Sequence, residues 1–427
     1  MTNKFFKKWF VDKKVFSWAL YDWANSTCST TVMAAFVPAF LTDYWSVGVE
    51  ATITTARLGI ANSATSVLVA VISPILGSMA DQKGYKKLFC FLFMLMGVLA
   101  CVWLAFIGKG DWLTALIAFG ICMIGFNASL VFYDSLLPSV STAQTSDYAS
   151  SLGYSLGYLG GGLLFVVNIL MCLKPNWFGL QDAVEGVKAS FLSVALWWLI
   201  FSIPLFKNVP EPEFEKNKDT ILKSLSTTHH RLLGTLKNIL KDRNLTYFLF
   251  AFWLYIDGVY TVMTMAVDYG KALMIDNSAM MMALLLVQFL GFPFALLFSH
   301  MAKRWGCRTP ILISIIVYAV AVVLATWMNE SWHFYALASM IGIVQGGVQA
   351  LSRSLFSRMI PQQNAGEYFA LFNLVGKFAA ILGPMIVAIG AYATGNPRFG
   401  MLGLLILFTI GGGLLFKVKE EKIIDAA

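Results

Sequence analysis

The chain has 427 residues, of which 58% are hydrophobic and only 13% charged. Soluble domains are about a quarter charged and at most about half apolar, so an ordinary water-soluble enzyme is excluded and the surplus apolar surface must meet lipid. The formal net charge of +8 does not point to nucleic acid. Its basic residues sit in short clusters between apolar runs, as membrane topology requires.

With about twenty apolar residues per crossing, twelve spans are predicted. They run over 16–41, 53–79, 88–107, 112–137, 149–172 and 190–206, then 245–267, 279–301, 309–327, 333–360, 367–392 and 399–416. The first run exceeds the roughly 7–15 residues of a signal-peptide core and contains Asp22, Trp23 and Asn25, so it reads as a retained span. Residues 207–244 hold Pro210, Glu211, Pro212 and a charged run, and are expected to form a solvated linker. Within that linker Leu233, Leu236 and Leu240 share one helical face, which predicts an amphipathic helix on the membrane surface. The expected organisation is therefore an N-terminal six-helix bundle over 1–206, the linker over 207–244, and a C-terminal six-helix bundle over 245–427.

Charge placement orients this layout. Of 31 Lys and Arg, 24 fall on the side of the two termini and 6 on the other, with Lys377 inside a span. That bias predicts both termini in the cytoplasm. The halves also repeat. Met79-Ala80 and Gly84 recur as Met301-Ala302 and Gly306 at a constant offset of 222, each time between the second and third spans of a half.

The stretch Gly77, Asp81, Gly84, Lys86 resembles the loop signature of the major facilitator superfamily, G-x-x-x-D-x-x-G-x-[RK]. The glycines permit a tight turn, Asp81 can face the positive end of a neighbouring helix, and the lysines are expected to stay in the cytosol. The second copy carries Lys303 in place of Asp81, which predicts a weakened or absent latch in that half.

In that superfamily the first, fourth, seventh and tenth spans surround the substrate path, and here each bears a polar stripe. The first has Asp22, Asn25, Ser26 and Ser29, and the fourth has Asn127 and Asp134. The seventh has Asp257, Tyr260, Thr261 and Thr264, and the tenth has Gln345, Gln349, Arg353 and Ser357. Charges at the centre of a membrane helix cost about 2.5–3.5 kcal/mol each, so these groups should face water or one another. At about 1.5 Å per residue, Asp257 lies about 18 Å into its span, while Asp22, Asp134 and Arg353 lie about 9, 6 and 12 Å from the basic edge. The deep aspartate is expected to serve the substrate path. The three shallower groups either touch substrate or close the basic side.

Span five carries Gly153, Gly157, Gly160, Gly161 and Gly162, spaced for close helix approach and similar to the superfamily's antiporter motif with Tyr158 in place of its proline. The superfamily's span-four arginine is missing, which argues against its usual proton coupling. Lys377, one turn after Asn373, either binds a carboxylate, titrates, or pairs with a neighbouring acid. The tryptophans at 18, 23, 45, 197, 198 and 253 read as interfacial anchors or packing groups. The six cysteines contain no CxxC pair, and the His229-His230 pair lacks further ligands, so no metal or other cofactor is expected.

Three stretches carry a closer resemblance: Ser17-Trp-Ala-Leu-Tyr-Asp-Trp-Ala-Asn-Ser26, Tyr255-Ile-Asp-Gly258, and Gly346-Gly-Val-Gln-Ala-Leu-Ser-Arg-Ser354 with Gly376-Lys377 and Gly383-Pro384. Together they are similar to the autophagy-associated vacuolar effluxers and their bacterial relatives, a branch of the major facilitator superfamily. The resemblance implies family-motif positions at Asp22, Asn25, Asp257, Gln349, Arg353 and Lys377, and amino-acid export as the activity of fungal members.

The resulting expectation is an all-α polytopic membrane protein with twelve transmembrane helices in two pseudo-symmetric six-helix bundles, the major facilitator fold. It is not expected to be an enzyme, because His300 and His333 sit at opposite membrane edges and no nucleophile–base pair is apparent. It should move a small polar or zwitterionic metabolite, amino acids included, by alternating access. Export of drugs or siderophores, or a scaffold or receptor without transport, are the alternatives. The expected partners are a small-molecule substrate and the lipid bilayer, with a coupling proton or ion left open and no nucleic acid. A monomer in a bacterial inner membrane is expected. The substrate-path set is Asp22, Asn25, Asn127, Asp257, Tyr260, Gln345, Gln349, Arg353 and Lys377; the gating set is Gly77, Asp81, Gly84, Lys86 and Asp134.

Overall fold

In the computed structural model the described residues are 12–212, 221–379 and 381–420. Helices account for every regular element among them. Span by span they are α1 (Lys13–Thr27), α2 (Ala51–Lys83), α3 (Lys86–Phe106), α4 (Trp112–Ser135), α5 (Ser146–Leu173) and α6 (Ala183–Asn208). The second set is α7 (Arg243–Ala272), α8 (Asn277–Trp305), α9 (Arg308–Ala325), α10 (Ser331–Met359), α11a (Ala365–Phe378), α11b (Leu382–Thr394), α12a (Pro397–Leu402) and α12b (Leu404–Lys417). Among the described residues eleven spans are long and apolar enough to cross a membrane, each close to its predicted position. The remaining predicted span, 16–41, is also helical, but it passes from α1 into a π-helical stretch (Cys28–Phe36), a short α turn (Val37–Phe40) and a second π-helical turn (Leu41–Trp45).

Local chemistry sets the helix ends. Asp12 caps α1 by accepting from Lys14 N at 2.8 Å, Asp182 caps α6 from Glu185 N at 2.9 Å, and Asp111 caps α4. Gly84 and Gly306 stop α2 and α8 with φ of +68° and +76°, and their N–H groups donate to the carbonyls of Ala80 and Ala302. The repeated Ala and Gly are thus one left-handed helix stop used twice. In the eleventh span α11a ends at Phe378 and α11b begins at Leu382, with Pro384 in the first turn of α11b, where a helix has no use for the N–H that proline lacks.

The chain forms two compact units. One runs up to Val140 and from Leu156 to Thr228, and takes in Gln363–Ala370; the other combines Ser141–Ser155, His229–Gln362 and the chain from Leu371 onward. Two pieces, Ser141–Ser155 and Gln363–Ala370, are exchanged between the units relative to chain order. Each exchanged piece is the basic-side beginning of a half's fifth span, at α5 and at α11a.

Two expectations are corrected by the fold. The linker is not solvated throughout: Glu211 is half-buried and its carboxylate accepts from Lys86 N at 2.7 Å and Lys87 N at 3.0 Å, capping α3. Lys86 does not reach the cytosol, since it is only 4% exposed. The amphipathic helix forms at Ile221–Lys241, with Leu233, Leu236 and Leu240 exposed on one side and Thr235 and Ile239 buried. The basic residues 4, 7, 8, 216, 218 and 422 lie outside the described residues, as do the side chains of His229 and His230.

Candidate functional site: polar groups inside the two units

The polar stripes turn inward. Asp22, Asn25, Asn127, Asp134, Asp257, Gln345 and Arg353 are all buried, and Tyr260, Gln349 and Lys377 are partly so. Burial in protein rather than contact with lipid lowers their cost in hydrocarbon, although the Asn25 amide nitrogen has no hydrogen-bond partner among the described residues. They are divided between the units: Asp22, Asn25, Asn127 and Asp134 in the first, and Asp257, Tyr260, Gln345, Gln349, Arg353 and Lys377 in the second.

In the first unit, Asp22 Oδ2 accepts from the Tyr133 hydroxyl at 2.8 Å, and Trp18 Nε1 donates to the Tyr133 carbonyl at 3.0 Å while its ring stacks on Tyr133. This ties α1 to α4. The glycines of α5 allow the close approach expected of them: a Cβ at Gly157 would lie 2.6 Å from Ser26 Oγ, and one at Gly160 would lie 2.7 Å from the Trp23 carbonyl. Trp18, Trp45 and Trp198 are wholly buried, so they pack rather than anchor at the interface.

Asp81 sits at the end of α2 and faces the beginning of α11a. Its two oxygens accept from Gly366 N at 2.9 Å and Glu367 N at 2.8 Å, and Lys86 Nζ lies 2.7 Å from Oδ1. A helix N-terminus presents unpaired N–H groups and partial positive charge, so the carboxylate suits it in both respects. Gly77 lets α11a approach, since a Cβ there would stand 2.6 Å from the Gly366 carbonyl. The motif residues Gly77, Asp81, Gly84 and Lys86 therefore form one interlocked device.

The second unit carries a different device. Lys303 is exposed, as befits a residue that cannot replace Asp81. The acid instead comes from α5: Asp147 accepts from Ser354 Oγ at 2.5 Å and from Cys307 Sγ at 3.0 Å, and lies 3.4 Å from Arg358. Arg358 also pairs with Glu420 at 3.0 Å. Glu420 in turn accepts from Cys307 N at 2.8 Å and Arg308 N at 3.0 Å, capping α9 as Glu211 caps α3. The predicted loss of a latch in this half is thus corrected, because a relocated carboxylate replaces it. One turn deeper, Arg353 donates from Nε to Ser150 Oγ at 2.9 Å and from Nη2 to the Ser150 carbonyl at 3.0 Å, and lies over the Tyr154 ring.

Sequence reasoning missed Asp147, Cys307, Arg358, Glu211 and Glu420 as working groups. A signal existed for the last two. Val209-Pro-Glu211 and Val418-Lys-Glu420 each place a glutamate three residues beyond the end of a half's sixth span.

Deep in the second unit, Asp257 is completely buried. Its carboxylate accepts from Leu382 N at 3.1 Å and Gly383 N at 2.9 Å, with Thr261 Oγ1 at 3.3 Å. The aspartate of α7 therefore holds the N-terminus of α11b, the second piece of the broken span. Lys377 lies in the last turn of α11a, just before the break. A shallow apolar groove runs along α2 past Gly59, Ile60, Val67 and Val71, and no charged side chain lines it. For metal chemistry, Cys28, Cys101 and Cys122 converge from three spans of the first unit.

Comparison with known proteins agrees with this architecture. The model of the family described as "Vacuole effluxer Atg22 like" matches residues 47–427. An uncharacterized MFS-type transporter of Bacillus subtilis, YxiO, is 36% identical over 413 residues, which is 96% of either chain. Autophagy-related protein 22 of Yarrowia lipolytica is 26% identical over 66% of this chain, which spans about half (51%) of that longer protein. Among solved structures, the human organic anion transporter MFSD10 superposes with a TM-score of 0.71 at 13% identity, covering 94% of this chain and 99% of its own. FucP in the outward conformation gives 0.71 at 11% identity, over 97% and 100%. YxiO and both structural neighbours are named as transporters, not enzymes. A multi-pass helical membrane protein with this architecture and these relatives is a transporter of the major facilitator type, and the chain belongs to the vacuole effluxer Atg22-like family.

Proposed function

We propose that the chain is a secondary carrier of small polar or zwitterionic metabolites, with amino acids as the best-fitting class, working by alternating access. The observation that carries this reading is the broken eleventh span, with Asp257 on the free N-terminus of α11b and Lys377 just ahead of the break. Interrupted helices inside a membrane leave backbone groups that must be met by protein, solvent or ligand, and transporters place substrates at such breaks. An acid and a base around one break suit a solute bearing both an ammonium and a carboxylate. Lys377 receives the carboxylate. Asp257 exchanges its backbone donors for the ammonium as the site fills. Tyr260, Gln345 and Gln349 supply neutral polar contacts, and Asp22, Asn25 and Asn127 are the candidate path residues of the first unit.

Arg353 belongs with the gate on this reading, since Ser150 and Tyr154 already engage it. Gly77, Asp81, Gly84, Lys86 and Asp134 complete the gate on the basic side. These contacts hold the beginnings of α5 and α11a, and they must part for the site to open there. The bacterial relative supports a bacterial inner membrane, and the excess of Lys and Arg on the side of the termini supports cytoplasmic ends; on this reading the carrier works as a monomer.

The test is counterflow in proteoliposomes with a panel of labelled amino acids, with and without an imposed pH gradient. Asp257→Asn and Lys377→Met should abolish exchange while leaving monodisperse protein. Unchanged kinetics in either variant overturns its assigned role, and failure of every amino acid to exchange overturns the substrate class.

A further inference from the structure

Three of the six cysteines, distant in sequence, meet inside the first unit. Cys122 Sγ on α4 lies 3.5 Å from Cys28 Sγ and 3.4 Å from Cys101 Sγ on α3, and all three sulfurs lie within 4.8 Å of one another. Each residue is wholly buried, and among the described residues no basic side chain pairs with any of them. Cys28 also opens the π-helical stretch that follows α1. Such wide turns concentrate at functional sites.

Spacing and charge select the ligand. With bonds of about 2.3 Å to sulfur, a linear centre sets two sulfurs about 4.6 Å apart, a planar trigonal centre about 4.0 Å, and a pyramidal centre with near-right angles about 3.3 Å. Two of the three spacings, 3.4 and 3.5 Å, come nearest the pyramidal value, and the third lies within 4.8 Å. Charge gives the same answer. A cuprous ion on three thiolates leaves two net negative charges in a dry site, which is costly without a counter-ion. Zinc wants four ligands in a closed site, and no fourth donor joins the group among the described residues. A trivalent centre on three thiolates is neutral.

We propose that Cys28, Cys101 and Cys122 form a binding site for trivalent arsenic or antimony, taken up as the neutral trihydroxide. Three sulfur–arsenic bonds form and three arsenic–oxygen bonds break. Each thiol proton leaves with a hydroxide as water, so three waters are released and no oxidation state changes. The trihydroxide is small and carries no charge, and the product buries none.

The probe is arsenite, added to the purified full-length protein in detergent after phosphine reduction. The protein is then desalted and analysed for arsenic content and by X-ray absorption at the arsenic edge. One arsenic per chain with three sulfur neighbours is expected. Cys28→Ser, Cys101→Ser and Cys122→Ser should each lose the metalloid on desalting, whereas Cys172→Ser on α5 should retain it. If a serine variant does not purify as folded protein, the wild-type absorption spectrum still decides the matter. The proposal is overturned by an oxygen-bound arsenic, by no retained arsenic in the wild type, by retention in the triple variant, or by cuprous ion binding where arsenite does not. Oxidation to a Cys28–Cys122 disulfide with no arsenic uptake would identify a redox pair and overturn it as well.

Discussion

Replacing Asp81 by Asn should weaken the buried tie between α2 and α11a in the first unit. The native carboxylate takes two backbone donors at 2.9 and 2.8 Å and a lysine at 2.7 Å, with both side chains of the ion pair only 5% exposed. An Asn keeps one acceptor, turns an NH2 group toward a backbone N–H, and strands a buried ammonium. Breaking a buried pair by removing one partner costs about 3–5 kcal/mol, and the low exposure leaves little solvent screening to reduce it. Lys86→Met removes the orphaned charge, so Asp81→Asn combined with Lys86→Met should recover part of the loss, giving a coupling of about 2–3 kcal/mol. The assay is a double-mutant cycle on reversible unfolding in a single detergent. Additivity of the two substitutions to within about 0.5 kcal/mol would refute the claim that this pair is dry and mutually dependent.

Other sites give sharper or milder outcomes. Gly160→Ala forces a Cβ to 2.7 Å from the Trp23 carbonyl and should cost about 1–3 kcal/mol by overpacking. Gly108→Ala, with nothing within 4 Å, should stay within about 0.5 kcal/mol of wild type, and thermal unfolding of the two variants checks the contrast. Glu211→Ala uncaps α3 and should cost about 1–2 kcal/mol. Glu420→Ala should cost more, because it uncaps α9 and also takes a partner from Arg358. Burial raises the pKa of Glu211 above the ordinary glutamate value, with the backbone N–H groups of Lys87 and Lys86 opposing the shift. A raised folded-state pKa means that the folded protein holds this proton more tightly than the unfolded chain. The associated stability is therefore fully present below the ordinary value and is lost as pH rises through the raised one. A pH series of melting temperatures on wild type and Glu211→Ala should show that component in the wild type alone.

The local pattern of the chain determined the spans, their order and the two-fold repeat. Apolar runs of membrane length, helix caps such as Asp12 and Asp182, and the helix-stopping glycines Gly84 and Gly306 act through neighbours within a few residues, so each can be read directly. The buried stripes were also legible, because an ionisable group in hydrocarbon must find a protein partner whatever that partner is. Which partner it found was not. That Asp81 reaches Gly366, that Asp257 holds Gly383, and that Asp147 takes the work Lys303 cannot do are pairings across about a hundred residues or more. They follow from how helices from different parts of the chain pack. The same holds for Cys28, Cys101 and Cys122, each unremarkable in its own span and adjacent only after three spans assemble. Local periodicity carries no information about distant contacts, so only the tertiary structure could decide which buried groups face one another.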